Sequence, residues 1–391
     1  MLDDFLSYQA KTTPHPLGLA IKRAKGSYIV DQNGKKYLDF IAGVSACSLG
    51  HRHPAVVRAM KRQINRYMHV MVYGEYVQSP AVELCKLLAQ HLPSSLEVTY
   101  LTNSGTEAIE GAMKLAKRVT GKSGFIAAKN AYHGSTQGAL SLLGVEKQKE
   151  GYGPLLPEVE FISFNALEEL EKITTETAGV VLETIQGGGG FILPTADYLL
   201  AVKKRCEEVG ALLILDEIQP GIGRTGKLFA FEHYGVTPDI LVIGKGLGGG
   251  MPIGAFCSSA QNMEQLTHSP SLGHITTFGG NPVIAAAGLA TLKTIINKKI
   301  MAEIDAKEAL FRELLVHPKI KQINGRGLML APILENPEQV SKVVFSCMEK
   351  GLILFFLLWE KKGIRLSPPL NISKREIQKG CKILLEALEE L

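Results

Sequence analysis

Between about residues 95 and 260, short apolar runs alternate with stretches of helical periodicity, and few architectures accommodate that alternation. The runs at 98–101, 124–128, 179–182, 212–215, 240–243 and 255–258 are too short to be buried helices and are rich in residues that suit a pleated sheet. Between them lie stretches such as 107–120, introduced by Ser104 with Glu107 three residues on, and 196–208, whose apolar residues recur at helical spacing. Parallel neighbours require a crossover between them, and a helix lying on the sheet supplies it. The pattern therefore predicts an α/β fold, a mostly parallel sheet with helices on both faces.

Beyond residue 282 the rhythm changes. A long helical stretch runs to about 297, β-rich segments at 325–332 and 351–369 are broken by helix, and a last helix opens at Ser373, paired with Glu376 in capping-box spacing, and runs to 391. This predicts a smaller α+β domain over 283–391 beside a large domain over 51–282. Residues 1–50 are expected to pack with the small domain, and within them Asp31-Gln32-Asn33-Gly34 marks a hairpin between 28–30 and 36–40.

Several classes of function are disfavoured by composition. The 43 basic residues exceed the 38 acidic ones by only 5 and are scattered along the chain, so nucleic acid is not an expected partner. The six cysteines form no C-x-x-C pair, and they read as small buried hydrophobes in a reducing compartment. Asp3 and Asp4 stand where a leader would be basic, and the longest apolar run, 352–359, is far short of a membrane span. A cytoplasmic protein with no membrane partner is the expectation.

In open parallel sheets, ligands bind outside the carboxyl ends of the strands. Three unusual polar groups are expected there. The run 212–215 delivers Asp216 and Glu217, followed by Ile218, Gln219 and a glycine-rich turn. An acid at the end of an apolar strand needs a partner to stay ionised, whether a cofactor, a magnesium ion or a neighbouring loop. The next run delivers Lys245 between Gly244 and Gly246, an unhindered amine whose partial burial would suit it to forming a Schiff base. A Walker-type loop is excluded, because no Ser or Thr follows the lysine. The third group is Thr102-Asn103-Ser104-Gly105-Thr106-Glu107-Ala108. There Gly105 and Thr106 offer backbone N–H groups to a phosphate at a helix start, and Ser104 either joins them or only caps the helix. A phosphate nest, an acid and a lysine at adjacent strand ends suit a phosphorylated aldehyde with a basic ring nitrogen.

Asp216-Glu217-Ile218-Gln219, Gly223-Arg224-Thr225-Gly226 and the following Lys245 resemble the signature of class III aminotransferases. This is the fold-type-I group dependent on pyridoxal 5'-phosphate (PLP) that includes ornithine, acetylornithine and 4-aminobutyrate aminotransferases. The resemblance runs from Leu49-Gly50-His51-Arg52-His53-Pro54 through Tyr132-His133-Gly134 and Thr277-Phe278-Gly279-Gly280-Asn281-Pro282 to Ile364-Arg365-Leu366-Ser367-Pro368-Pro369-Leu370. It implies that Lys245 carries the cofactor and then moves a proton, and that Asp216 pairs with the ring nitrogen. It further implies that Gln219 bonds the phenolic oxygen, that Ile218 and Tyr132 cover the two ring faces, and that His133 has a positional role. Gly105 and Thr106 would hold the phosphate, with Thr277 of a second subunit reaching it, so that the site needs a homodimer. Arg365 would grip a carboxylate of the amino donor or of an oxo-acid acceptor such as 2-oxoglutarate, in a ping-pong exchange through pyridoxamine phosphate.

Two positions depart from the pattern. Gly188, in Glu183-Thr184-Ile185-Gln186-Gly187-Gly188-Gly189-Gly190, stands where these enzymes commonly carry a Glu that covers the carboxylate-binding arginine, and Ser135 stands where the acetylornithine and ornithine types usually have an arginine. The departures suggest a donor whose far end is not held by two fixed arginines: an ω-amine, a diamine or a less polar amino acid. An aminomutase or racemase on the same scaffold, or a non-catalytic PLP-binding regulator, are the alternative readings. His51 and His53, in a Gly- and Pro-flanked turn with no third ligand nearby, read as structural and not as metal ligands.

Overall fold

The computed structural model describes residues 1–297 and 299–391. Fifteen strands occur among them, and the first thirteen are β1 Ile21–Lys25, β2 Tyr28–Asp31, β3 Lys36–Asp39, β4 Val98–Thr102, β5 Gly124–Ala128, β6 Val159–Ile162, β7 Thr177–Glu183, β8 Leu212–Asp216, β9 Ile240–Gly244, β10 Gly254–Ser258, β11 Gln322–Arg326, β12 Met329–Ile333 and β13 Leu352–Ile353. Short strands β14 Phe355–Phe356 and β15 Ile364–Arg365 complete the set.

The centre is a seven-stranded sheet in the order β4-β10-β9-β8-β7-β5-β6. The pairs from β9 across to β6 are parallel, while β10 runs antiparallel to both of its neighbours. Every residue of β7, β9 and β10 is buried, as expected of strands covered on both faces. That burial is why they read as continuous apolar runs. The edge strand β6 is the one the pattern did not show, since it is short, carries Glu160 and buries only Ile162 fully.

Local chemistry sets the boundaries of the helix Gly105–Thr120. Ser104 accepts from the Glu107 N–H at 3.3 Å, the Glu107 carboxylate reaches back to the Asn103 N–H at 2.8 Å, and Gly121 closes the other end at φ 70°. Its buried stripe, from Ala108 and Ile109 to Leu115 and Ala116, packs across the central sheet.

The hairpin of β2 and β3 pairs Tyr28 with Leu38, and β13 adds alongside β3 in parallel, giving a second sheet β1-β2-β3-β13 that joins the two ends of the chain. The helix Pro282–Asn297 packs on the helices Pro54–Ile64 and Ser79–Ala89. No described helix is long and apolar enough to cross a membrane.

The last helix, Lys374–Glu389, begins with a reciprocal capping box, in which Ser373 Oγ accepts from the Glu376 N–H and Glu376 Oε2 accepts from the Ser373 N–H. Ser373→Ala removes one half of it and is expected to lower unfolding free energy by about 1 kcal/mol. Because the helix supplies nothing to the cavity described below, kcat should not change; denaturant melts together with steady-state rates check both.

Candidate active site

The parallel strands β7, β8 and β9 end side by side, and each delivers one ionisable group to the same cavity of about 470 Å³: Glu183, Asp216 and Lys245. Register makes this a consequence of the ladder, since Glu183 lies opposite Asp216. The antiparallel β10 enters the same edge at Gly254, where a Cβ would stand 2.0 Å from the Ser104 carbonyl oxygen, so the close approach of β10 to the helix start admits only glycine.

Asp216 is fixed at both oxygens. Oδ1 accepts from the Ile218 N–H at 2.9 Å, and Oδ2 pairs with His133 Nδ1 at 2.8 Å. Burial opposes a charge on His133, but the hydrogen bond from Asp216 and the negative charges of Asp216 and Glu183 outweigh it and raise its pKa. His133 thus steadies the carboxylate through this hydrogen bond. The adjacent Glu217 points elsewhere: it accepts from Thr184 Oγ1 and from the Ala230 and Phe231 N–H groups, tying β7 and a loop to β8. Of two neighbouring acids, one faces the cavity and one holds the scaffold.

Lys245 adopts φ +36°, a left-handed conformation that a non-glycine residue enters at a cost of about 1 kcal/mol. Burial lowers the pKa of its amine, and the positive Arg365 adds to the effect, against Asp216 and Glu183. The result is an amine shifted towards its neutral, nucleophilic form.

At the helix start the Glu107 N–H is taken by Ser104 Oγ and that of Ala108 by the Ser104 carbonyl. The N–H groups of Gly105 and Thr106 have no partner among the described residues, and both residues line the cavity. Unpaired N–H groups at a helix start suit an anion. Ser104 is the helix cap and lies off the cavity wall. Ile218, Gln219 and Tyr132 line the cavity, with the Gln219 side-chain amide nitrogen buried and unpaired and the Tyr132 hydroxyl 3.2 Å from Ser135 Oγ.

Arg365 reaches the cavity from β15. Its Nε donates to the Phe356 carbonyl at 3.3 Å, its guanidinium lies 5.4 Å from the centroid of the Phe191 ring, and its buried Nη1 has no partner. Burial depresses its pKa to about 10. No ion pair engages it among the described residues, so an anion from outside would be its partner. Arg224 supports the arginine-bearing segment from behind: wholly buried, it donates to the Leu328 and Pro368 carbonyls.

Thr277 is exposed and does not line this chain's cavity. Among residues not singled out from sequence, Glu183 could have been found by the strand-end argument that found Asp216. Val44, Phe355, Phe356 and Leu358 could not. Val44 belongs to a left-handed turn in which Ala42, Gly43, Val44 and Ser45 all have φ between 49° and 68°. The turn is anchored by Asp39, whose Oδ1 caps the Ile41 and Ala42 N–H groups while Oδ2 meets His51 Nε2 at 2.7 Å. His51 is therefore the partner of a carboxylate, and its pKa is pushed up to about 10, chiefly by that bond.

The model of the aminotransferase class-III family matches residues 8–388 of this chain. The chain belongs to that family. The aminotransferase is 39% identical over 385 residues to an acetylornithine aminotransferase of Caldanaerobacter subterraneus subsp. tengcongensis, covering 95% of each chain. It is 40% identical over 375 residues to the acetylornithine aminotransferase of Bacillus subtilis, covering 94% of each. It also superposes with TM-score 0.91 on the ornithine aminotransferase of Toxoplasma gondii, at 31% identity, covering all of this chain and 96% of that one. Enzymes of this family depend on PLP, and the residues present fit it. The unpaired N–H pair suits a phosphate, the fixed Asp216 a protonated ring nitrogen, the orphaned Gln219 amide an oxygen acceptor, and the depressed Lys245 amine an aldehyde.

Glu183 offers a check on these electrostatics. Burial raises its carboxyl pKa from 4.5 to about 7, against the charge of His133 and hydrogen bonds from the Gly187 and Tyr132 N–H groups. Between those values the folded protein keeps a proton that the unfolded chain has released, so this group makes stability fall as pH rises from about 4.5 to 7. In Glu183→Gln that share is absent, and thermal melts of the cofactor-free variant across this window should fall less steeply with pH than those of the parent. Parallel melting curves would contradict the assignment.

Proposed function

We propose that the aminotransferase moves an amino group from a carboxylate-bearing amino acid to an oxo acid at the cavity formed by Lys245, Asp216 and Arg365. The observation that carries the reading is the buried Arg365, with an unpaired guanidinium nitrogen and no described anionic partner, in the same cavity as Lys245. A planar two-pronged donor in such a place suits a carboxylate. Bound PLP supplies the aldehyde that accepts the amino group and a ring that holds the electrons left by a departing proton.

The chain's own residues do the rest. The Gly105 and Thr106 N–H groups, and Thr277 of a second subunit, fix the phosphate, with Ser104 holding the helix start in place. Asp216, steadied by His133, keeps the ring nitrogen protonated; Gln219 bonds the phenolic oxygen; Ile218 and Tyr132 close the two faces. Lys245 holds the cofactor at rest and, once released, its amine takes and returns the proton at the substrate carbon. Arg365 sets the orientation by fixing the carboxylate.

The homodimer is supported by the exposure of Thr277 and of the apolar Leu272, Ile275 and Phe278 in the same segment. A cytoplasmic setting accords with six free cysteines. The packing of residues 1–50 with the small domain accords with the β1-β2-β3-β13 sheet, while the helix Pro282–Asn297 packs on the helices Pro54–Ile64 and Ser79–Ala89 of the large domain. The relatives act by name on acetylornithine, whereas Ser135 and Gly188 add no charged group to a cavity whose carboxylate anchor is Arg365. A donor with one carboxylate accords better with that inventory than one with anchors at both ends.

Lys245→Ala and Asp216→Asn are each expected to lower kcat by about a hundredfold or more. Arg365→Ala should raise KM for the oxo acid by roughly tenfold to a hundredfold, with a smaller effect on kcat. Conversion of the cofactor spectrum by added amino acid, followed by its return with oxo acid, tests the reaction class. A protein that converts in neither direction, or an Arg365→Ala variant with parental KM, would refute the assignment.

A further inference from the structure

Gly188 lies on the cavity wall, and the reason it carries no side chain is visible behind it. A Cβ there would stand 2.6 Å from Trp359 Nε1 and 2.7 Å from Trp359 Cδ1, closer than real contacts allow, with the Asn130 carbonyl oxygen at 3.1 Å as a second, softer limit. The indole is held in register, because the Trp359 N–H donates to the Gly188 carbonyl at 3.0 Å. Its ring N–H is buried and unpaired. Trp359 therefore fills the volume that any side chain at position 188 would need.

The consequence falls on Arg365. With residue 188 bare and the indole packed against it, position 188 supplies no side chain to cover the guanidinium. The remaining walls contribute Val44, Phe355, Phe356 and Leu358, with Ser135 tied to the Tyr132 hydroxyl. Apart from Glu183 and the groups assigned to the cofactor, the lining is thus mostly apolar, and Arg365 is its carboxylate anchor.

From this we infer that Trp359 is a specificity-determining residue: by keeping position 188 empty it leaves Arg365 open in both half-reactions, so that donor and acceptor use the same carboxylate anchor and the preferred donor is an α-amino acid with an uncharged, apolar side chain. The inference rests on the proposed transamination at this cavity. An amine that lacks a carboxylate, or a donor with a second charged end, leaves either Arg365 or its own charge without a partner, and a buried unpaired charge is heavily disfavoured. Selection against such donors follows from what the cavity lacks as much as from what it holds.

Trp359 is the only tryptophan in the chain, so its emission reports this wall alone. In PLP-loaded protein, titration with 4-methylpentanoate, a carboxylate without an amino group, should change that emission saturably, and the change should vanish in Arg365→Ala. Kinetically, leucine should exceed 3-methylbutylamine, the same skeleton without its carboxylate, by at least about a hundredfold in kcat/KM. Gly188→Ala should raise KM for the oxo acid at least about fivefold in the parent, and Trp359→Ala or Trp359→Phe should recover at least half of that loss on the logarithmic scale. Silent emission, equal use of amine and amino acid, or an additive Gly188–Trp359 pair would each overturn the inference. Spectral conversion by some other donor would show that the transaminase reading stands while this one fails.

Discussion

The carboxylate of Asp216 depends on a strand end. It is carried there by β8, gripped at one oxygen by the Ile218 N–H and at the other by His133, in a place where only 4% of the residue is exposed. An acid so placed stays charged only if its surroundings are arranged around it, and the surroundings are the rest of the site. His133 comes from the loop after β5, Glu183 from the end of β7, and Lys245 from the end of β9, so the parallel ladder aligns all four. Removing that alignment would leave buried charges without partners and no site.

The same cavity holds opposed electrostatic demands. Burial lowers the amine of Lys245 and raises the carboxyl of Glu183, while Asp216 and a positively biased His133 form the fixed pair against which both are set. The gradient suits chemistry in which one amine must alternate between bonding and carrying a proton. Left-handed backbone occurs at the site as well, at Lys245 and in the turn of residues 42–45 to which the cavity-lining Val44 belongs. Asp39, beside that turn, is held much as Asp216 is, its carboxylate shared between backbone N–H and an imidazole, here that of His51.

What the sequence could and could not disclose follows from the range of the interactions involved. Strands buried on both faces leave continuous apolar runs, and the ends of those runs announced Asp216 and Lys245; the capped helix start announced Gly105 and Thr106. The edge strand β6 left no such mark, because it is short, only Ile162 is fully buried and the exposed Glu160 interrupts it. Residues brought in by long-range packing were likewise silent: Phe355, Phe356 and Leu358 read as part of an apolar segment, and nothing local connects Trp359 with Gly188, 171 positions away along the chain. The absence of a side chain at 188 was legible as a departure, whereas its cause, an indole occupying the space, required the fold. Thr277 was singled out by the family resemblance, and it lies exposed and off this chain's own cavity.

Whether the Lys245 amine bonds the cofactor can be read without reference to any substrate, by borohydride reduction of PLP-loaded protein followed by peptide mass analysis. One phosphopyridoxyl mass increment is expected, on the peptide containing Lys245, in stoichiometric yield. Modification of another lysine in that yield, or no modification at all, would exclude Lys245 from that role.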